Sequence, residues 1–407
     1  MTKRQKVELI LAKYYEYRYN VLDGTIQFRP KEGDDPRYKQ HTDYEMNSII
    51  RKIDDEGETP SESMYCSIIK SDFTPRFHPV RDYFYKYLPE HYPDQKEGVI
   101  QQLADTVKVP NPTEWYIALK RWMVASVANG LTEKSCQNHT CIVMTGGQGV
   151  GKTTWLSNLS PPPLNPDLIY TGKIDLNLAN KDTFNLLGIK FIINLDDQLR
   201  NLMKRDSETM KTLITHQEIS IRRPFSKFHE TVPRIANFLA SINGEDFLAE
   251  NENRRFLPIR VRDIDREATN RIDMNEAWKE AFDLWQAGYK YWWDKDELEQ
   301  AFPDMSSFAY TTDEMEALTT HFEVVQDRTQ ANCTMNATEI VSYFKDKMSL
   351  HLSSKKTGEA LKSLGAIQVK VRIGSTVLTK YALNRLDLSG PNAIHNPMKP
   401  EEKKLPF

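Results

Sequence analysis

The residues best suited to chemistry lie in CIVMTGGQGVGKTTWL, Cys141 to Leu156. Gly146, Gly151, Lys152 and Thr153 complete the phosphate-loop pattern G-x-x-x-x-G-K-T. Across Gly146, Gly147, Gln148, Gly149, Val150 and Gly151, glycines let the backbone turn tightly and aim N–H groups at phosphate oxygens. Lys152 is placed to reach the β- and γ-phosphates and Thr153 to offer its hydroxyl to Mg²⁺, with Thr154 read as a further nucleotide-binding residue. An apolar strand, CIVMT, precedes the loop and a helix, TTWLSNL, follows, so the helix N-terminus faces the anion. The expected ligands are ATP and Mg²⁺.

Hydrolysis at such a loop requires acids at the end of a second strand, one for the metal and one for water. FIINLDDQ supplies Asp196 and Asp197. Asp196 is assigned to the metal and Asp197 to water activation, and the two can exchange roles. Asn194 is read as a packing or hydrogen-bonding residue. A third strand, ANFLASIN, ends in Asn243, which is either a sensor of the γ-phosphate or attacking water, or an ordinary asparagine of the turn NGED. In NENRRFLPIRV, Arg254 and Arg255 open a final strand. They are either a solvated pair or arginines offered to a neighbouring subunit's site, where a cation stabilises phosphoryl transfer; Arg255 is favoured.

Between the second and third strands, EISIRRPFSKFHETVPRI alternates, turns and returns as a β-hairpin. Its tip region holds Arg222, Arg223, Lys227 and His229 interleaved with Phe225 and Phe228. Cations bind phosphates and aromatic faces stack bases, which gives a nucleic-acid reading. The alternative is a solvated hairpin whose phenylalanines pack on a neighbour.

The elements that must hold these residues follow from periodicity. CIVMT, FIINL and ANFLASI are short, continuous apolar runs separated by helical stretches, the pattern of a parallel sheet buried on both faces. The fold class is therefore α/β with a parallel sheet. A strong helix, WYIALKRWMVASVANGL, leads into it. The predicted organisation is a mostly helical region over 1–108, the sheet core over 109–265 and a helical lid or linker over 266–330. A winged-helix-like domain over 331–388 and a disordered tail over 389–407 complete it. The first helix is read through KVELILAKYYEYRY, followed by a strand-like GTIQFRP. Trp278, Trp285, Trp292 and Trp293 are read as core anchors rather than base stackers. Lys355, Lys356, Lys362 and Lys370 fall on the second helix and wing of the C-terminal piece, as a duplex-gripping face or a solvated one.

Composition bounds the class. A chain of 407 residues, 39% hydrophobic and 27% charged with net charge −3, has the make-up of a globular protein with a sizeable core. No apolar run approaches the roughly 20 residues of a spanning helix, and the charged, aromatic N-terminus does not read as a signal peptide. Four scattered cysteines fit a reducing cytoplasm. CQNHTC, residues 136–141, lacks the spacing and second ligand pair of a zinc site.

Taken together, loop, paired acids, basic hairpin, strand-ending Asn and tandem Arg resemble superfamily 3 helicases, a ring-forming branch of the AAA+ ATPases. More narrowly, FHPVRDYF through ENRRFLPIRV is similar to the virulence-associated protein E (VapE/VirE) family of phages and mobile elements. Asn253–Phe256 and Arg223–Pro224 stand where that family carries its "NRRF" phrase and its basic hairpin. The resemblance covers roughly residues 70–265. It implies a hexameric ring, with Lys152, Thr153, Asp196 and Asp197 from one subunit and Arg254 or Arg255 from the next. It also implies hairpins that track single-stranded DNA in a central channel. Relatives often carry a glutamate in the acidic strand; here stand Asn194 and the Asp196–Asp197 pair. Many begin with a primase domain, whereas residues 1–110 show no acidic catalytic cluster of that type, so a separate primase is expected. The leading expectation is an ATP-driven DNA helicase or translocase. A protein remodeler or loader, and a nucleotide-gated DNA-binding regulator, remain as alternatives.

Overall fold

The computed structural model describes residues 1–33, 37–134, 137–172, 174, 181–196, 198–221, 228–248, 255–309, 312–373 and 376–386. Its contacts divide the chain into two compact units, Met1–Ala309 and Tyr310–Phe407.

The first unit begins with α1 (Lys3–Tyr14), opened by a capping box between Thr2 and Gln5. The chain then leaves the helix and runs extended as β1 (Tyr15–Asn20), β2 (Ile26–Pro30) and β3 (Lys39–Gln40). This corrects the sequence reading that carried the helix through YEYRY. Alternation of tyrosine with polar residues there has the period of a strand, and Tyr17 is buried against Phe28 of β2. Helices α2 (Asp43–Asp55) and α3 (Glu62–Ile69) cover this sheet, which β4 (Arg76–Phe77) completes in the order β3-β2-β1-β4.

FHPVRDYF then folds as α4 (Pro79–Asp82), a π-helical turn at Tyr83–Tyr87 and α5 (Leu88–His91). His78 caps α4, its Nδ1 accepting the Arg81 N–H at 3.2 Å. That bond requires the neutral ring, and burial, reinforced by the Arg81 charge, pulls its pKa down to about 4. A depressed histidine stabilises the fold above its unfolded pKa of about 6.5 and loses that contribution as pH falls through 4. Between pH 7 and pH 4, wild type is therefore expected to lose roughly 1–3 kcal/mol more stability than His78→Asn, which keeps an acceptor without titrating. Urea unfolding at both pH values measures this, and equal losses would refute it.

Helix α6 (Val99–Asp105), strand β5 (Val107–Lys108) and helix α7 (Pro112–Leu131) lead into the central sheet. Its strands are β6 (Cys141–Thr145), β7 (Ile169–Thr171) and β8 (Ile192–Asn194), then, after a hairpin, β11 (Asn237–Ser241) and β12 (Phe256–Arg260). The hairpin is β9 (Glu218–Ile221) against β10 (Glu230–Pro233). The five strands are all parallel, in the order β12-β6-β11-β8-β7. Helices α8 (Lys152–Asn158), α9 (Lys181–Ile189) and α10 (Leu199–Thr215) connect them.

Alternate residues of each strand enter different cores, which explains the unbroken apolar runs. Ile142, Met144, Ile192, Leu239 and Leu257 join one cluster with α6 and α7. Cys141, Val143, Ile193, Phe238 and Phe256 join another with α10. After β12 come β13 (Asp263–Ile264), which pairs with β5, and helices α11 (Arg266–Arg271), α12 (Met274–Gln286) and α13 (Lys295–Ala301). Trp278 of α12 is fully buried, and its indole N–H donates to the Leu159 carbonyl at 2.8 Å. Trp285 and Trp293 are partly buried on the same core. Trp292 departs from the expected anchor role: it is 54% exposed. It precedes the turn into α13, where its neighbour Trp293 takes the inward place beneath Arg121, 4.3 Å away.

The second unit runs α14 (Asp313–His321), β14 (Phe322–Val324), β15 (Cys333–Met335), α15 (Ala337–Met348), α16 (Ser354–Ser363), β16 (Gln368–Ile373) and β17 (Thr376–Arg385). Its sheet is centred on β17, which pairs with β14, β15 and β16. Phe322, Ile340, Phe344, Leu361 and Leu383 fill its core. Sequence placed Phe322–Val324 in a preceding lid or linker, but these residues are a strand of this sheet. Lys355, Lys356 and Lys362 stand exposed on α16, and Lys370 on β16. The predicted tail, 389–407, lies outside the described residues.

Candidate functional site: the glycine loop and the strand ends around it

The loop from Gly146 to Gly151 joins the end of β6 to the start of α8, and Gly147–Gly149 are exposed. Two of its glycines are required by geometry. Gly146 has φ +132°, and a Cβ there would stand 2.5 Å from the Val261 carbonyl oxygen. Gly151 has φ +100°, and a Cβ would meet the Arg266 guanidinium at 3.1 Å. Both are positions that L side chains rarely adopt. The loop is fastened sideways to the turn after β11: Gly146 and Gly244 exchange backbone hydrogen bonds at 3.4 and 3.3 Å.

Lys152 opens α8 and is 5% exposed. Its ammonium donates to the Gly146 and Gly147 carbonyls at 3.0 and 2.6 Å, and lies 3.5 Å from Asn243 Oδ1. The predicted strand-end asparagine is thus brought to the lysine. Thr153 points the other way, donating to Asp196 Oδ1 at 2.6 Å. Ser241, which sequence reasoning passed over, also donates to Asp196 Oδ1 at 2.6 Å and sits 3.0 Å from the Thr153 hydroxyl. It precedes Asn243 by two positions on the strand beside β6, which is the signal that could have found it. Thr154 is exposed one residue beyond.

This donor set fits the ligands expected from sequence. Three hard oxygens, one of them a carboxylate, gather beside the loop, the chemistry Mg²⁺ prefers. A buried ammonium hydrogen-bonded to its own loop's carbonyls can exchange them for phosphate oxygens. Asn194 is fully buried on β8; its amide reaches Ser157 Oγ at 3.4 Å, and among the described residues its Oδ1 has no hydrogen-bond partner. It packs, as expected, and does not join the oxygen cluster.

The remaining predicted residues are distributed as follows. Arg255 stands half-buried at the entry to β12, its carbonyl accepting the Cys141 N–H at 2.7 Å. His229 is exposed on the return arm of the hairpin, next to Phe228, which is 77% exposed. The arm β9 alternates as read, with Ile219 and Ile221 inward. Arg234, just past β10, roots the hairpin: fully buried, it donates to the carbonyls of His216 at 3.0 Å and Asn138 at 2.6 Å. Asp197, Arg222, Arg223, Phe225, Lys227 and Arg254 lie outside the described residues.

A parallel sheet whose fifth and fourth strands flank the first, with a glycine loop from that first strand into a helix, defines an AAA+-type P-loop core. Residues 89–310 match the virulence-associated protein E-like domain, over half of the chain. The chain belongs to that family. Among solved structures it is similar to the apo NrS-1 C terminal region (305-718), with a TM-score of 0.47 and 13% identity over 94% of this chain and 99% of that one. A second similar structure, SCCmec type IV Cch, described as an active helicase, has a TM-score of 0.29 and 10% identity over 85% of this chain and 66% of that one. No curated protein matches the sequence. Among the described residues, no helix is long and apolar enough to cross a membrane.

Proposed function

We propose that the protein is an ATP-dependent DNA helicase or translocase of a phage or mobile-element replication system, acting in the cytoplasm as a hexameric ring on single-stranded DNA. The observation that carries this reading is the pairing of two features at one loop. Lys152 is held on the loop's own carbonyls, and Thr153, Asp196 and Ser241 share hydrogen bonds of 2.6–3.0 Å beside it. Family membership and the basic hairpin of the sequence support the nucleic-acid half.

In this reading the loop amides and Lys152 bind and orient the β- and γ-phosphates, and Asn243 senses the γ end. Thr153 and Asp196 are the residues that would hold Mg²⁺, whose chemistry there is to neutralise charge on the phosphates. Asp197 orients the attacking water. Arg255, with Arg254, serves the site of the adjoining subunit. The hairpin tip, Arg222, Arg223, Phe225, Lys227 and His229, contacts the DNA strand, phosphates meeting cations and bases meeting rings. The 331–388 segment is proposed as a winged helix, and primer synthesis is left to a separate primase.

The test is ATP turnover with and without single-stranded DNA. Wild type is expected to be stimulated several-fold, and Lys227→Ala to keep basal turnover while losing the stimulation. Robust turnover indifferent to DNA would instead identify a protein remodeler. Tight, ATP-dependent DNA binding without turnover would identify a nucleotide-gated regulator.

A further inference from the structure

One cation at the loop has no place in the roles above. Arg266 is the first residue of α11, and Asp265 before it caps that helix, accepting the Ala268 N–H at 2.9 Å. A positive side chain at a helix N-terminus is opposed by the helix dipole, so α11 gains nothing from it. Its backbone is fixed: the Asp265 N–H donates to the Thr106 carbonyl, and the Arg262 N–H to that of Lys108, both at 2.8 Å. From there the guanidinium reaches the glycine loop. Its Nη2 donates to the Gly149 carbonyl at 3.2 Å, and its Nε and Nη2 lie 3.1 Å from where a Cβ on Gly151 would stand.

Two neighbouring arginines have carboxylate partners. Arg260 pairs with Glu245 and Asp304, and Arg271 with Glu267. Arg266 has no carboxylate partner among the described residues. A planar cation with five donors, of which one meets a single neutral carbonyl, is incompletely used. Polyanionic phosphate is the partner that suits a guanidinium best.

We propose that Arg266 binds the polyphosphate of the nucleotide in cis, turning from the Gly149 carbonyl onto phosphate oxygens when a nucleoside triphosphate enters the loop. The inference rests on the phosphate-cradle reading of residues 146–153. It adds an arginine from the nucleotide's own subunit to those offered from the next. It also gives the segment after β12, which already closes over Gly146 through Val261, a second contact that depends on nucleotide.

The experiment measures binding of a slowly hydrolysed ATP analogue with Mg²⁺ by calorimetry, alongside the melting temperature with and without it. Wild type, Arg266→Ala, Arg266→Lys and the neighbouring control Arg271→Ala are compared. Arg266→Ala is expected to bind at least 10-fold more weakly and to lose most of the nucleotide-induced rise in melting temperature, with its melting temperature unchanged without nucleotide. Arg266→Lys, keeping the charge, is expected to fall between, and Arg271→Ala to match wild type. Wild-type affinity in Arg266→Ala would overturn the proposal, as would equal weakening in Arg271→Ala. A lower melting temperature without nucleotide, unaccompanied by weaker binding, would reduce Arg266 to a structural tie. Failure of wild type itself to bind would instead remove the cradle reading beneath it.

Discussion

Lys152→Ala is expected to abolish ATP turnover, lowering it by about 10³-fold or more, the scale on which a cation facing the transferred phosphoryl group acts. Among the described residues, the lysine is the best-placed charge for that task. It opens α8, is almost fully buried, and touches both the first turn of the loop and, at Asn243, the turn after β11. The variant should remain folded, because the loop's shape is set independently by its positive-φ glycines and by the Gly146–Gly244 hydrogen bonds. Phosphate release at saturating ATP and Mg²⁺ checks the expectation, with circular dichroism confirming the fold. Turnover within threefold of wild type would mean that this loop is not where ATP is cleaved.

Much of this site is legible in the sequence, and the reason is local. A P-loop is a contiguous segment, so its glycines, lysine and threonine declare themselves by spacing. The strands around it are buried on both faces, so CIVMT, FIINL and ANFLASI stand out as apolar runs. What escaped the sequence is either marginal or non-local. β7 is three residues long, partly buried and at the sheet edge, with no apolar run to mark it. The helix-to-strand change at Tyr15 is hidden because tyrosine serves both periods. Ser241 becomes part of the site only because β11 lies beside β6, a pairing across most of a hundred intervening positions. Arg266 reaches the loop only because β13 pairs with β5 and seats α11 above it. Side chains that act through tertiary contact carry no spacing signature.

The same distinction shapes the second large effect, at the oxygen cluster. Asp196→Asn is expected to lower turnover by about 10²-fold or more, because the amide keeps the shape but not the charge that would hold the metal beside the phosphates. Ser241→Ala should cost less, about 10-fold, since Ser241 orients the carboxylate through a 2.6 Å hydrogen bond rather than carrying charge itself. Its signature should be a higher Mg²⁺ concentration for half-maximal turnover, with the rate partly restored at high Mg²⁺. Asp197→Asn separates the two acids: a residue that activates water should lower the maximal rate without moving the Mg²⁺ requirement. Turnover measured across a Mg²⁺ series in the three variants decides the assignment. If Asp197→Asn shifts the Mg²⁺ requirement and Asp196→Asn does not, the two aspartates have exchanged roles, and the 2.6 Å Thr153–Asp196 contact is then a hydrogen bond that only shapes the loop's flank.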